Sequence, residues 1–270
     1  MKPSVSYVLP LRRWRPEPLE ELTAYLGWLA PRSQVIVVDG SSPEIFARHR
    51  EAWGGLVSHI PVDPAHRGRY GKVNGVLTGV EAASQERVVM ADDDVRYDEP
   101  ALRRVATLLG DADLVRPQNY FDPLPWHARW DTARTLLNRA LGADYPGTLA
   151  VRRSVLLAAG GYDGDALFEN LELIRTVKAA GGRVVSPLDL YVRRIPSSAE
   201  HFWSQRVRQA YDDFALPARM TVELALLPAT AAALLRRRPS ALALSAVGDA
   251  VPHGQPGAHR PLGQPQRREE

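Results

Sequence analysis

Short apolar runs alternate with amphipathic stretches over residues 1–215, and this alternation is the strongest constraint on the fold. The runs are rich in valine and isoleucine, as buried strands are, whereas leucines recur at helical spacing between them. We therefore expect an α/β fold with a mostly parallel central sheet flanked by helices. The predicted strands are Val5–Leu9, Gln34–Val38, Leu56–Ile60, Arg87–Ala91, Asp113–Arg116, Gly147–Val151, Arg183–Val185 and Tyr191–Arg193. The predicted helices include Val73–Ala83, Pro100–Leu109, Trp126–Leu141, Leu171–Ala180 and Ala199–Phe214.

Composition and charge exclude several classes of protein. The chain has no cysteine, which rules out disulfides, zinc–thiolate sites and thiol nucleophiles. The net charge of +3 arises after residue 215, and the basic residues before it form no stripe with interleaved aromatics, so we expect no nucleic-acid partner. The first predicted strand begins too early to leave room for a signal peptide, so we expect a cytoplasmic protein.

The composition changes near Leu216. We expect residues 216–247 to form an apolar helical tail segment and residues 248–270, rich in proline, glycine and arginine, to be disordered. Leu224–Leu235 is too short for an ordinary membrane-spanning helix and contains a proline. Two alternatives stay open for it: a helix packed on the domain, or a peripheral membrane contact helped by the arginines at 236–238.

Three consecutive aspartates, residues 92–94, follow the apolar run of residues 88–91. Since that run is predicted to be a buried strand, the acids emerge at its carboxyl end, where open α/β sheets bind ligands. Asp92 and Asp94 together could hold Mg²⁺ or Mn²⁺, which prefer oxygen ligands and often share them with phosphates. If the segment stays extended, Asp93 faces the other way. The alternative is an acidic turn that caps the following helix.

The order of the motifs resembles that of a known family. Asp-Gly-Ser-Ser at residues 39–42 is followed by Gly-Lys-Val-Asn-Gly at 71–75 and then by the aspartates. This order resembles the nucleotide-binding half of family-2 glycosyltransferases with the GT-A fold. Residues 160–173 look like the acceptor-side segment of that family. Residues 205–209 are similar to the Gln-x-x-Arg-Trp element of the ceramide glucosyltransferase and cellulose synthase branches, with glutamine in place of the tryptophan.

The resemblance implies a single GT-A domain and a metal-dependent, inverting glycosyltransferase. Such an enzyme moves a sugar from a nucleotide-diphosphate donor to a hydroxyl acceptor. The implied donor contacts are Asp39, Lys72, Asp92, Gln205 and Arg208, and the implied cofactor is Mn²⁺ or Mg²⁺. From the residues alone, Asp39 could instead cap the next helix, and Lys72 could be a solvated lysine at a helix start.

An inverting transfer needs a base that deprotonates the acceptor hydroxyl. The family usually carries aspartate where this chain has Asn170, and an amide is no base. Glu169 and Glu172 are therefore the candidate catalytic residues, although either could be a helix N-terminal acid favoured by the dipole. His201 is a candidate third metal ligand, as a histidine is in some GT-A enzymes.

The acceptor is the least constrained part of this hypothesis. The similarity to the ceramide glucosyltransferase branch makes a lipid acceptor one candidate. An aromatic cluster could line an acceptor groove or form a buried helix face; its members are Tyr120, Phe121, Trp126, His127 and Trp130. Trp203 could supply an aromatic surface, but we expect it to pack in the core. Two other functions stay open: a non-catalytic sugar-nucleotide binding domain and, with less support from the loop after the first strand, a nucleotidyltransferase.

Overall fold

The computed structural model describes residues 4–140, 147–165, 169–204 and 206, with 220–221, 224–225, 228 and 230–232 beyond them. The chain divides into two units, Met1–Ala215 and Leu216–Glu270. Most of the second unit lies outside the described residues, so the helical and disordered character of the tail stays a prediction. Among the described residues, no helix has both the length and the apolar character needed to cross a membrane.

The first unit is built on two β-sheets. Its strands are β1 (Ser6–Leu11), β2 (Gln34–Asp39), β3 (Ser58–Pro61), β4 (Arg87–Ala91), β5 (Val95–Arg96), β6 (Leu114–Val115), β7 (Gln118–Phe121), β8 (Thr148–Arg152), β9 (Val184–Val185) and β10 (Tyr191–Arg194). Seven of them form the central sheet in the order β3-β2-β1-β4-β8-β6-β9. The first four in that order are parallel, so their carboxyl ends meet at one edge of the sheet. Beyond them, β8 runs antiparallel to both of its neighbours.

The helices lie between these strands. They are α1 (Glu20–Leu29), α2 (Pro43–Trp53), α3 (Gly71–Ala82), α4 (Glu99–Leu108), α5 (Trp126–Ala140), α6 (Arg153–Ala158) and α7 (Glu169–Ala179). Side chains alternate along each strand, so the central sheet carries a hydrophobic core on each face. On one face Tyr7 and Leu9 pack with Leu26, and on the other Val8 packs with Val76.

A smaller sheet of three strands, in the order β5-β10-β7, lies beside the acidic segment. In the antiparallel pair of β5 and β10, Arg194 stands opposite Val95 and therefore next to Asp94. The backbone N–H of Ile195 also donates to the carbonyl of Asp94 at 2.8 Å. Three of these elements, β5, β7 and α6, are too short to show a periodic pattern and could not be predicted from the sequence.

Candidate active site

A cavity of about 490 Å³ opens at the carboxyl ends of the four parallel strands. Each of these strands contributes a residue that follows it: Arg12 after β1, Gly40 after β2, Val62 after β3 and Asp92 after β4. The first turn of α3 and the first residue of α7 complete the wall; their lining residues are Gly71, Lys72, Asn74, Gly75 and Glu169. Ligands bind at this edge in open α/β sheets, so the cavity is the candidate active site.

The acidic segment forms a turn rather than an extended chain. The N–H of Val95 donates to the carbonyl of Asp92 at 3.1 Å, and the N–H of Asp92 donates to the carbonyl of Gly147 at 2.8 Å. Because of the turn, Asp93 lines the cavity together with Asp92. The segment is therefore not extended, and the alternation expected for an extended chain does not apply.

Lys72 joins two carboxylates at the cavity. Its Nζ lies 2.6 Å from Oδ1 of Asp92 and 2.8 Å from Oε1 of Glu169. Burial lowers the pKa of Lys72, but the negative charges of Asp92 and Glu169 raise it by more, so the net shift is upward. The amine therefore stays protonated, and it holds two predicted site residues, one from β4 and one from α7, against α3.

Hydrogen bonds between two loops bring Lys72 to Glu169. Gly68 and Gly164 pass so closely that a Cβ on Gly68 would lie 2.7 Å from Cα of Gly164, which only glycine allows. The N–H of Tyr70 donates to the carbonyl of Gly164 at 3.0 Å, and the side chain of Asn74 bonds both backbone groups of Gly68. The loop before α3 is therefore attached to the loop that leads to α7.

Asp94 is held by Arg194, whose Nε donates to Oδ2 of Asp94 at 3.1 Å. The other oxygen, Oδ1, is buried and has no hydrogen-bond partner among the described residues. A Cβ on Gly147 would lie 2.8 Å from Oδ2 of Asp92 and 3.2 Å from the Arg194 guanidinium, so Gly147 leaves room for the Asp92 carboxylate and for the guanidinium that binds Asp94. Asp94 itself is not among the residues that line the cavity. A buried carboxylate oxygen without a partner is a suitable ligand for a hard divalent cation, and Asp92 is separated from Asp94 by a single residue of the turn.

Asp93 is paired with Arg13, whose guanidinium donates to Oδ2 of Asp93. Burial raises the pKa of Asp93, the Arg13 charge lowers it, and the neighbouring Asp94 and Asp92 raise it further. The backbone N–H of Arg13 donates to Oγ of Ser41 at 2.9 Å. Ser41 thus orients the loop after β1 that carries Arg12 and Arg13 to the cavity.

Asp39 lies behind that loop, with its side chain fully buried. Its Oδ2 accepts from Nδ1 of His49 at 2.6 Å and from Nε2 of His59 at 3.0 Å, and its Oδ1 accepts from the N–H of Ser41 at 2.9 Å. Burial raises the pKa of Asp39, but hydrogen bonds from His59, Ser41 and His49 outweigh it and give a net lowering.

The surroundings of Asp39 change the interpretation of its role. Both oxygens are engaged inside the protein, so the carboxylate does not face the cavity. The predicted contact with the base or ribose of the donor would require it to do so. Nor does Asp39 cap α2, whose N-cap is Ser42. Its contacts instead fix Ser41 and, through it, Arg13. Asp39, His49 and His59 also form the one group of three potential metal-binding side chains with converging ligand atoms among the described residues.

The other predicted site residues have different positions. Glu172 lies one turn into α7, near Arg175, and is not among the residues that line the cavity. His201 is exposed on a helical segment, residues 199–204, and does not converge with Asp92 and Asp94 in this structure. Gln205 and Arg208 lie outside the described residues, so their donor contacts stay predictions.

The predicted aromatic cluster is partly exposed. Trp126 and Trp130 expose 54% and 64% of their surface, whereas His127 is buried and bonded to the carbonyl of Ser197 at 2.8 Å. Trp203 is 60% exposed, so its predicted place in the core is wrong; the neighbouring Phe202 is the buried residue. The ring of Trp126 packs edge to face on that of Phe202, with 5.5 Å between the ring centroids.

Sequence reasoning missed the basic partners of the acids. Arg13 and Arg194 come from segments 80 and 100 residues away from the aspartates that they bind. His49 and His59 were also missed. A buried carboxylate at a strand end needs hydrogen-bond donors. The position of Asp39 therefore indicates that it has such donors, but no local sequence pattern identifies which residues they are.

Comparisons with known sequences and structures indicate the family to which the chain belongs. Residues 20–212 match the sequence family described as "Glycosyltransferase like family 2". No curated protein sequence matches the chain. Among solved structures, a mannosyltransferase of Pyrobaculum calidifontis in complex with GDP-Man and Mn²⁺ is 21% identical, with a TM-score of 0.54 over 92% of this chain and 83% of that one.

A second enzyme with a similar fold is the glucosyl-3-phosphoglycerate synthase of Mycobacterium tuberculosis. Its complex with phosphoglyceric acid is 21% identical, with a TM-score of 0.50 over 80% of each chain. Its complex with Mn²⁺ and UDP-Glc is 19% identical, with the same TM-score over 80% of this chain and 79% of that one. At these identities the likeness shows the fold, which is GT-A. The match over residues 20–212 shows that the chain belongs to glycosyltransferase-like family 2.

Proposed function

We propose that this chain transfers a sugar, with inversion, from a nucleoside-diphosphate donor to a hydroxyl acceptor, and that it uses a divalent cation held by Asp92 and Asp94. The observation that carries the proposal is the cavity, where Lys72, Asp92 and Glu169 meet at the carboxyl ends of the parallel strands. Two solved enzymes of similar fold, cited above, bind GDP-Man or UDP-Glc together with Mn²⁺.

The cation has a suitable place in the chain. The buried Oδ1 of Asp94 lacks a partner among the described residues, and Asp92, two positions earlier in the same turn, lines the cavity. When bound there, the cation would neutralise charge on the departing diphosphate. Lys72 and Arg12 both line the cavity and add positive charge for the phosphates.

Glu169 is the proposed base. It is half-buried, lines the cavity and pairs with Lys72. Glu169 takes the proton of the acceptor hydroxyl while that oxygen attacks the anomeric carbon. The bond from this carbon to the diphosphate breaks, and the diphosphate leaves with the bonding electrons. Attack from the side opposite the leaving group inverts the configuration.

The acceptor is proposed only as a hydroxyl compound. The exposed indoles of Trp126 and Trp130 offer an apolar surface on which a sugar ring or the apolar part of an acceptor could stack. A lipid acceptor, membrane contact through the tail and the ceramide glucosyltransferase branch stay predictions, since the residues that suggested them lie largely outside the described part of the chain.

The test is turnover of UDP-Glc and GDP-Man, alone and with a panel of saccharide and lipid acceptors, in Mn²⁺, Mg²⁺ or EDTA. We expect slow donor hydrolysis or transfer that EDTA abolishes, and a product of inverted anomeric configuration by NMR. Turnover that persists in EDTA would contradict the metal role, and retained configuration would contradict Glu169 as the base of a single displacement.

A further inference from the structure

Acidic and basic side chains nearly balance one another around the candidate cation site. The acids are Asp92, Asp93, Asp94 and Glu169, and the bases that pair with them are Lys72, Arg13 and Arg194. With four negative charges and three positive charges, this group carries a net charge of −1. A divalent cation added alone makes it +1, and a bound diphosphate reverses that sign again. The charge balance therefore favours binding the two ligands together over binding the cation alone.

Lys72 contributes most directly to this balance. Its Nζ is 2.6 Å from Oδ1 of Asp92, so a cation on either oxygen of that carboxylate would lie within about 5 Å of the ammonium. Side chains at this site are only about one-quarter to one-third exposed, so water screens the repulsion incompletely. Arg194 binds Asp94, the other proposed cation ligand, and also repels a cation there, but unlike Lys72 it does not line the cavity in which the diphosphate would bind.

The position of Lys72 also lets it serve the diphosphate. It lies in the first turn of α3 and lines the cavity, as a residue that contacts donor phosphates must. Its second partner, Glu169, holds it at the cavity wall when Asp92 turns to a cation. The ammonium group of Lys72 thus repels the divalent cation and attracts the diphosphate.

We propose that Lys72 couples cation binding to diphosphate binding: it weakens the affinity of the site for a divalent cation alone and strengthens its affinity for the diphosphate. This inference rests on the proposed function, since it takes Asp92 as a metal ligand. Replacing Lys72 should therefore raise the affinity for the cation alone and lower the affinity for the diphosphate.

The experiment compares full-length wild type with Lys72→Met, Lys72→Arg and Lys178→Met. Lys178 is an exposed lysine in the last turn of α7 and serves as a control for loss of one positive charge. Free Mn²⁺ is measured by EPR during titration without nucleotide, and binding of UDP and GDP is measured by calorimetry. Lys72→Gln replaces Lys72→Met if circular dichroism shows that the methionine variant does not fold.

We expect Lys72→Met to bind Mn²⁺ about tenfold more tightly than wild type in the absence of nucleotide, and to bind UDP or GDP about tenfold more weakly. Lys72→Arg and Lys178→Met should resemble wild type in both titrations. Unchanged or weaker Mn²⁺ binding by Lys72→Met would overturn the coupling while leaving the metal site intact. No Mn²⁺ binding by any variant would overturn the metal role in the proposed function and the coupling with it.

Discussion

Arg194 donates to one oxygen of Asp94 at 3.1 Å, while the other oxygen of the same carboxylate is buried without a hydrogen-bond partner among the described residues. Arg194 belongs to β10 of the smaller sheet, and its pairing with β5 places it beside the acidic turn. The smaller sheet therefore orients Asp94 and leaves one oxygen available. A carboxylate fixed in this way can bind a cation with little further ordering.

Removal of the charge of either proposed metal ligand should strongly reduce sugar transfer without unfolding the chain. Asp92→Asn and Asp94→Asn keep the shape of the side chain but remove the charge that neutralises the cation. We expect sugar transfer to fall by roughly 10²-fold or more and Mn²⁺ affinity to fall in parallel. Turnover assays and Mn²⁺ titrations check this, with Asp189→Asn, an exposed aspartate remote in sequence, as the matched control. Wild-type turnover in both variants would show that the cation is held elsewhere.

The two candidate bases can be separated by matched substitutions. Glu169→Gln should lower kcat by roughly 10²- to 10⁴-fold and leave nucleotide binding intact, because proton removal from the acceptor is lost. Glu172→Gln should change kcat little, since Glu172 does not line the cavity. Single-turnover kinetics and calorimetry with UDP and GDP measure both effects. A larger loss in Glu172→Gln than in Glu169→Gln would transfer the role of base to Glu172.

Gly147 should be needed for the Asp92 carboxylate to reach its position beside residue 147. In Gly147→Ala the new Cβ would meet Oδ2 of Asp92 at 2.8 Å and the Arg194 guanidinium at 3.2 Å, so at least one charged group must move. We expect Mn²⁺ affinity to drop about tenfold, as for other groups that orient metal ligands. Gly55→Ala is the control, because a Cβ there has no neighbour within 4 Å. Equal Mn²⁺ affinity in both variants would mean that the cation does not use this space.

The buried pairing of Asp39 with its histidines should stabilise the fold. Asp39→Asn is expected to lower the free energy of unfolding by about 3 kcal/mol at pH 7, because it weakens the bonds to His49 and His59. The folded pKa of Asp39 is lowered, so the stability that it contributes is present above the unfolded value near 4 and is lost as the pH falls below that value. The difference between wild type and variant in urea unfolding should therefore shrink between pH 4 and pH 2. A difference that stays constant over this range would show that the Asp39 charge does not contribute.

The sequence predicted the parallel part of the fold and the edge where the site lies, because both follow from local patterns. The run of residues 87–91 has the same bounds as β4, and two of the three acids that follow it, Asp92 and Asp93, line the cavity, whereas Asp94 does not. Glu169, which the sequence identified as a candidate base, also lines the cavity. These features depend on hydrophobic periodicity and on strand ends, which a single sequence displays.

Ion pairing and exposure could not be predicted in the same way. The contact between Arg194 and Asp94 depends on pairing between β10 and a strand of only two residues, which shows no periodicity. The inward orientation of Asp39 depends on histidines from α2 and β3. Trp203 is exposed and Phe202 is buried, although both are aromatic, because the face that a helix buries depends on its neighbours. Such features arise from tertiary contacts between distant segments.

The most direct test of the metal assignment is an anomalous difference map from crystals of the full chain soaked with Mn²⁺ and either UDP or GDP. Our account predicts a Mn²⁺ peak between the carboxylates of Asp92 and Asp94, with the diphosphate as its remaining partner. A Mn²⁺ peak at Asp39, His49 and His59 instead, or bound nucleotide with no Mn²⁺ peak beside the acidic turn, would contradict it.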